Sequence, residues 1–140
     1  MGVTITVPLA STAVAAAVDL LEYLSASTRG VRLKRAQFMS NATASQKLEI
    51  RISRVTGAPT SGSGGSTPTP VVDAPLVGST GGTVETFNTT RLTGGTKADS
   101  RIFLWDKREV FDYIPIDDKH VFEIEGGTRL LIGLETAPSA

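Results

Sequence analysis

The chain has one histidine, His120, and the carboxylates nearest to it in sequence are Asp117, Asp118 and Glu123. A cation held there would need oxygen ligands gathered by a turn, because adjacent residues diverge on a strand. The plainer reading of Asp117-Asp118-Lys119 is a solvated hairpin turn, and it is the one adopted. There is no cysteine, which removes disulfides, thiolate metal sites and a cysteine nucleophile. A Ser-His-Asp set can be drawn on paper from any serine and carries no weight without geometry. Gly62-Ser63-Gly64-Gly65 is glycine-rich but lacks the Gly-Lys-Ser/Thr ending of a phosphate loop. Asn41-Ala42-Thr43 and Asn88-Thr89-Thr90 match glycosylation sequons, a short pattern that recurs by chance. The residues offer no nucleophile, acid–base pair, metal or cofactor motif, so the expectation is a protein that binds rather than catalyses.

Charge and length narrow the class further. Lysine plus arginine total 14, aspartate plus glutamate total 14, and the formal net charge is zero. Nucleic-acid binders draw most of their affinity from a basic excess or stripe, so a nucleic-acid partner is not expected. The densest basic run, Arg29, Arg32, Lys34 and Arg35, reads as a solvated strand face. Nothing approaches about 18 consecutive apolar residues, so no membrane span is expected. Val3–Leu24 is rich in alanine and valine, but it lacks a cationic start and is interrupted by Asp19 and Glu22, unlike a secretory leader. A chain of 140 residues is most simply one domain, burying roughly 68–70% of its unfolded surface.

The elements follow from periodicity and punctuation. Gly57–Pro70 has no charge and no side chain larger than Thr or Pro. Such a stretch cannot bury apolar surface to offset its ordering entropy, and it reads as a long exposed loop. Val3, Ile5 and Val7 alternate with Thr4 and Thr6, which predicts a short strand or extended arm ended by Pro8. Ser11–Ser25 fits both a capped helix, with Val14, Val18 and Leu21 at helical spacing, and a strand after an alanine-rich lead. Val31 and Leu33 share one face, and Ala36 and Phe38 resume it one residue out of phase, as a β-bulge near Lys34–Arg35 would produce. Gln46–Val55 is the clearest strand, with Leu48, Ile50 and Ile52 on one side and Lys47, Glu49, Arg51 and Ser53 on the other. Further strands are expected at Val71–Val77 (proline-broken), Thr83–Thr90, Arg101–Val110, Val121–Glu125 and Thr128–Thr136, with Arg91–Ser100 as loop. Seven or eight short strands between glycine, proline and serine turns predict an all-β, antiparallel β-sandwich of jelly-roll type. The single domain would span residues 1–140, with an N-terminal arm over about 1–17 and the long loop at 57–70.

Trp105, Phe111 and Tyr113 lie close together in sequence. They fit core packing, a protein contact or a sugar-binding face, since aromatic residues serve all three. The carbohydrate reading requires Trp105 and Tyr113 to be exposed and coplanar.

Several runs taken in order carry a resemblance. The strand Leu48-Glu49-Ile50-Arg51-Ile52-Ser53-Arg54 is followed by Ser61-Gly62-Ser63-Gly64-Gly65-Ser66-Thr67-Pro68-Thr69-Pro70. Then come Glu85-Thr86-Phe87-Asn88-Thr89-Thr90, Tyr113-Ile114-Pro115, Gly126-Gly127-Thr128-Arg129-Leu130 and Ala137-Pro138. Over roughly Asp19 to Pro138 this order resembles small virion structural proteins of tailed bacteriophages. The resemblance implies a β-sandwich building block on the capsid exterior, of the decoration or cement type, bound across major capsid protein subunits and often trimeric. It also implies an extended Ser11–Ser25, and it offers no catalytic residues. A head–tail connector or tail component is the alternative within the same particle. Contact residues are then expected in the arm (Val3, Ile5), in the loop (Ser61, Gly62, Ser63, Thr67) and at Trp105, Phe111 and Tyr113.

Overall fold

The alternation at Leu48, Ile50 and Ile52 builds the strand against which the others are laid. In the computed structural model, which describes residues 4–72, 82–115 and 122–138, Lys47–Thr56 is a ten-residue strand. Its three inward side chains are at most 1% exposed. In chain order the strands are β1 (Ile5–Thr6), β2 (Val18–Leu24), β3 (Val31–Leu33), β4 (Ala36–Phe38), β5 (Lys47–Thr56), β6 (Val71–Val72), β7 (Thr83–Asn88), β8 (Thr96–Asp106), β9 (Phe111–Tyr113), β10 (Phe122–Ile124) and β11 (Arg129–Leu134). Six of these eleven have three residues or fewer, too few to leave an alternation in the sequence. No helix is present among the described residues, so none there is long and apolar enough to cross a membrane.

Four pairings are nested and antiparallel: β2 with β11, β3 with β10, β4 with β9, and β5 with β8. The chain is therefore one two-armed ribbon, running out through β2–β5 and returning through β8–β11. Rolling the ribbon brings β11 beside β5 and produces a five-stranded sheet in the order β7-β2-β11-β5-β8. The short ribbons β1–β6, β3–β10 and β4–β9 supply the facing layer. One apolar cluster joins the two, with Leu20, Ile50, Ile52 and Ile132 from the sheet meeting Ala36, Phe111, Phe122 and Ile124 from the ribbons. The fold is an antiparallel β-sandwich, jelly-roll-like in its nested ribbon. Among the described residues its second layer is three separate ribbons rather than one continuous sheet.

Two local expectations change, and one open choice closes. Val31–Leu33 and Ala36–Phe38 are not one bulged strand, because the first pairs with β10 and the second with β9. The bulges lie elsewhere: β2 carries one at Leu20, opposite Ile132–Gly133, and β8 carries one at Asp99–Ser100, opposite Ser53. Of the two readings of Ser11–Ser25 the strand after an alanine-rich lead is the one that holds, since there is no helix, residues 7–17 are irregular and the strand begins at Val18. The strand expected from Arg101 already begins at Thr96. The turn at Asp117-Asp118-Lys119, His120 and the segment at 75–77 lie outside the described residues.

Truncating a fully buried aliphatic side chain costs its transfer energy plus a cavity, about 2–5 kcal/mol for Ile to Ala. Ile52→Ala is therefore expected to lower the unfolding free energy by about that amount. Leu104→Ala, on the exposed side of β8, is expected to change it by less than about 0.5 kcal/mol. Urea unfolding of both variants checks the assignment of the two faces.

Candidate functional site

The bulge at Leu20 decides what lies on the outer face of the five-stranded sheet. It lets Leu20, Leu21 and Tyr23 all contact the core, while Asp19 and Glu22 both point away from it. A carboxylate in that position is expected to be solvated, yet Asp19 is 1% exposed and Glu22 is 3% exposed. Asp19 is held by partners that satisfy it, as burial of an ionised group requires, whereas Glu22 is satisfied at only one of its two oxygens. Asp19 accepts hydrogen bonds from Arg91 Nε at 2.9 Å and from the Leu92 backbone N–H at 2.7 Å. The remaining nitrogens of Arg91 reach both oxygens of Glu135, at 2.7 and 2.9 Å, a bidentate fork. This pairing raises the Arg91 pKa and, with the bond from Arg91 as the main cause, holds Glu135 below the ordinary glutamate value.

Glu22 has softer partners. Its Oε2 accepts from the Gly62 backbone N–H at 3.3 Å and from Asn88 Nδ2 at 3.4 Å. Its Oε1 lies 3.1 Å from Arg129 Nε without hydrogen-bond alignment. Burial is the first cause of its raised pKa, and neighbouring Glu85 adds to it; the Ser61 hydroxyl, the Gly62 amide and Arg129 oppose the rise.

What covers these carboxylates is part of the segment expected to be an exposed loop; it is irregular and mostly exposed, as expected, but it is tied to the sheet. Residues 60–66 run antiparallel to 86–93 and exchange backbone hydrogen bonds with them at three rungs. Thr60 pairs with Thr93 (2.8 and 3.1 Å), Ser63 with Thr90 (2.9 and 3.0 Å), and Ser66 with Thr86 (2.9 and 2.8 Å). The segment is a strap across the sheet. Its small side chains, which deny it a core, are what allow it to lie so close. A Cβ on Gly62 would strike the Thr90 carbonyl oxygen and approach Asn88 Nδ2 to 2.8 Å. One on Gly65 would strike the Thr86 carbonyl oxygen and come within 2.7 Å of Asn88 Oδ1. Asn88 is itself buried and bonded to Glu85 Oε2 at 2.7 Å, so it cannot yield. Buried in this way, Asn88 of the second sequon is no glycosylation acceptor in the folded chain.

The residues expected to make contacts fall into different environments. Val3 lies outside the described residues, and Ile5 is half-buried, paired with Val72. Gly62 is buried on the inner side of the strap, whereas Ser61, Ser63 and Thr67 are exposed; Ser61 Oγ accepts from Arg129 Nη2 at 3.1 Å. Trp105 is 8% exposed, Phe111 is buried and Tyr113 is half-buried. With Phe38 and Phe103 they form one cluster, Phe38 stacked on Phe111 at 4.5 Å and edge-on to Trp105 at 5.2 Å. The Trp105 indole N–H is used by the Glu109 carbonyl at 2.8 Å. Core packing is therefore the reading that holds for Trp105 and Phe111, and neither offers a flat exposed ring to a sugar.

The basic run is largely paired. Arg35 makes a bidentate contact with Asp112 at 3.0 and 2.8 Å, and Arg32 reaches Glu123 at 2.6 Å. In the turn after β8, Asp106 is held down to about 2, first by the Ser45 hydroxyl at 2.6 Å and then by the Arg108 amide at 3.0 Å. The first two pairs tie neighbouring strands together, and the Asp106 contacts organise the turn. No group of three or more His, Asp or Glu residues among the described residues converges on a point that would hold a metal ion. In comparisons with known proteins, no family model, curated protein or solved structure matches the chain.

Two tests follow from the strap. Gly65→Ala sets a methyl group against immovable backbone and is expected to cost about 1–3 kcal/mol in urea unfolding, as overpacking does. An unchanged midpoint would show that the strap does not lie on β7. Glu22 gives a pH signature of definite sign. Its raised folded value means the native state binds a proton that the unfolded state has released, so stability falls as pH rises through that window above 4.5. Glu135 and Asp106, both lowered, act in the opposite sense and lose their contribution as pH falls. Glu22→Gln is expected to remove the first trend and leave the second, read as urea midpoints between about pH 3 and pH 8. Parallel profiles for the two proteins would contradict the burial of Glu22.

Proposed function

We propose that the chain is a non-enzymatic structural subunit of a tailed-bacteriophage particle, a capsid decoration (cement) protein on the outside of the head. In this reading it stabilises the shell by binding across major capsid protein subunits, and its partners are that protein and further copies of itself. The resemblance over Asp19–Pro138 supports the assignment to a virion. The single structural observation that supports the binding role is the form of the N-terminal arm. Residues 4–17 lie outside the five-stranded sheet; their regular ladder is the two-residue pairing of Ile5–Thr6 with Val71–Val72, Thr4 Oγ1 accepts from Lys34 Nζ at 3.4 Å, and Ile5, Val7 and Val14 pack against the core. Along the arm Ile5, Val7 and Leu9 are half-buried while Thr4, Thr6, Pro8 and Ala10 are exposed. An extended segment with a minimal ladder is held on its own domain mainly by the packing of its apolar side. Against a second surface it adds main-chain hydrogen bonds and buried apolar area together.

Decoration proteins act through free energy that exists only on the assembled shell, so binding energy is their activity. The strap is committed to its own sheet, so Gly62 is not a contact; its exposed residues Ser63 and Thr67 remain available, as does the arm.

The test is co-sedimentation of the purified protein with empty phage shells. Saturable binding is expected, with occupancy at a fixed concentration reduced at least about tenfold when residues 2–9 are removed, the loss of a few buried side chains. Failure to bind shells at any concentration would overturn the cement reading. Binding to tails or connector complexes instead would move the protein to another station of the particle.

A further inference from the structure

We propose that the strap over residues 60–66 is a pH-operated latch, whose local opening from β7 is governed by the charge on Glu22 and is favoured as pH rises. Of the two outward acids on β2, Asp19 takes its bonds from Arg91 and Leu92, neither of them in the strap. Glu22 depends on the strap. It is 3% exposed and takes both of its hydrogen bonds on one oxygen, from the strap amide of Gly62 at 3.3 Å and from Asn88 Nδ2 at 3.4 Å. Its Oε1 is buried without a hydrogen bond. Arg129 lies beside that oxygen at 3.1 Å but is misaligned, and its Nη2 donates to Ser61 Oγ of the strap.

The elements packed on Glu22 leave its charge poorly balanced. β7 sets Glu85 directly opposite it in the strand pairing, and like charges so placed repel. Asn88 Nδ2 is shared between the two acids and lies closer to Glu85, at 2.7 Å. β11 contributes Arg129, the strap contributes Ser61 and Gly62, and β2 itself contributes Asp19, already bound to Arg91. Two carboxylates therefore face one cation under a cover that excludes water. Burial outweighs the help from Ser61, Gly62 and Arg129, and it is the first cause of the raised pKa of Glu22.

The sign follows from which form each state prefers. The closed strap favours the protonated acid, whereas the open strap returns Glu22 to water and its ordinary value of 4.5. Closure is strongest below that pH and weakens as pH rises through the folded value. The strap is suited to open alone, since residues 60–66 have no apolar side chain and hold to the sheet through three backbone rungs. Opening uncovers both acids and releases the backbone groups of Thr86, Thr90 and Thr93, which can then pair with another strand.

Amide exchange of the free protein between about pH 5 and pH 8, divided by the unfolded-chain rate at each pH, tests the latch. The amides of Ser63, Ser66 and Thr90 are expected to exchange faster than those of Ile50 and Ile52 throughout. Their protection is expected to fall at least about threefold from the lower pH to the higher while staying above that of an unfolded chain. Glu22→Gln has no charge to lose and is expected to flatten this fall. Strap protection that is flat with pH in the unmodified chain would overturn the proposal. So would strap amides that exchange only as slowly as Ile50 and Ile52, or a fall that survives in Glu22→Gln.

Discussion

The structure depends on the close approach of a glycine strap to β7 above two buried carboxylates. Asp19 and Glu22 point outward because β2 bulges at Leu20, and without a cover they would be ordinary solvated acids. The strap has no apolar side chains and would not be ordered by hydrophobic burial. Their combination gives a polar layer in which the backbone of residues 60–66 supplies both hydrogen bonds and exclusion of water. Gly62 and Gly65 set the distance, since Asn88 and the β7 backbone fill the space a Cβ would need.

That layer explains features that look unrelated. Arg91 is drawn to the sheet because it bridges Asp19 and Glu135, and Leu92 follows it to join Val55 and Leu131 in a second small apolar cluster on the outer face. Phe87 sits at φ 54°, the left-handed region, while packing against the main core. Directly after it, Asn88 bonds Glu22 and Glu85 in the polar layer. Backbone strain of this kind costs of the order of 1–3 kcal/mol and persists only where surrounding contacts impose it. Here the strap and the buried acids impose it from one side and the core from the other.

Sequence periodicity made legible those parts of the fold that bury an alternating face. Leu48, Ile50 and Ile52 gave β5 its correct orientation, and Leu130, Ile132 and Leu134 did the same for β11. Strands of two or three residues are too brief to carry a period, so the facing layer was only partly visible. Composition gives the exposed, irregular character of Gly57–Pro70, but small residues do not reveal its close approach to β7. Asp19 and Glu22 were read as interruptions of an apolar run. Only the three-residue spacing across a bulge, which no local pattern announces, places both on the outer face. The aromatic residues were assigned to three possible roles, and the packing of Phe38 and Phe103 around them is a tertiary fact beyond the reach of their spacing.

Taken together, the strap occupies one flank of the sheet, no strand pairs with the outer edge of β8 among the described residues, and the arm lies outside the sheet, packed through Ile5, Val7 and Val14. The proposed role as a building block of a larger particle draws on this division between a fixed body and its margins. Amide hydrogen exchange on the protein, free and bound to shells, tests it most directly. The account predicts slow exchange at Ser63, Ser66, Thr86, Thr90 and Thr93 in the free protein, and slowing of residues 4–10 only on shells. Strap amides that exchange at unfolded-chain rates until shells are added would contradict it.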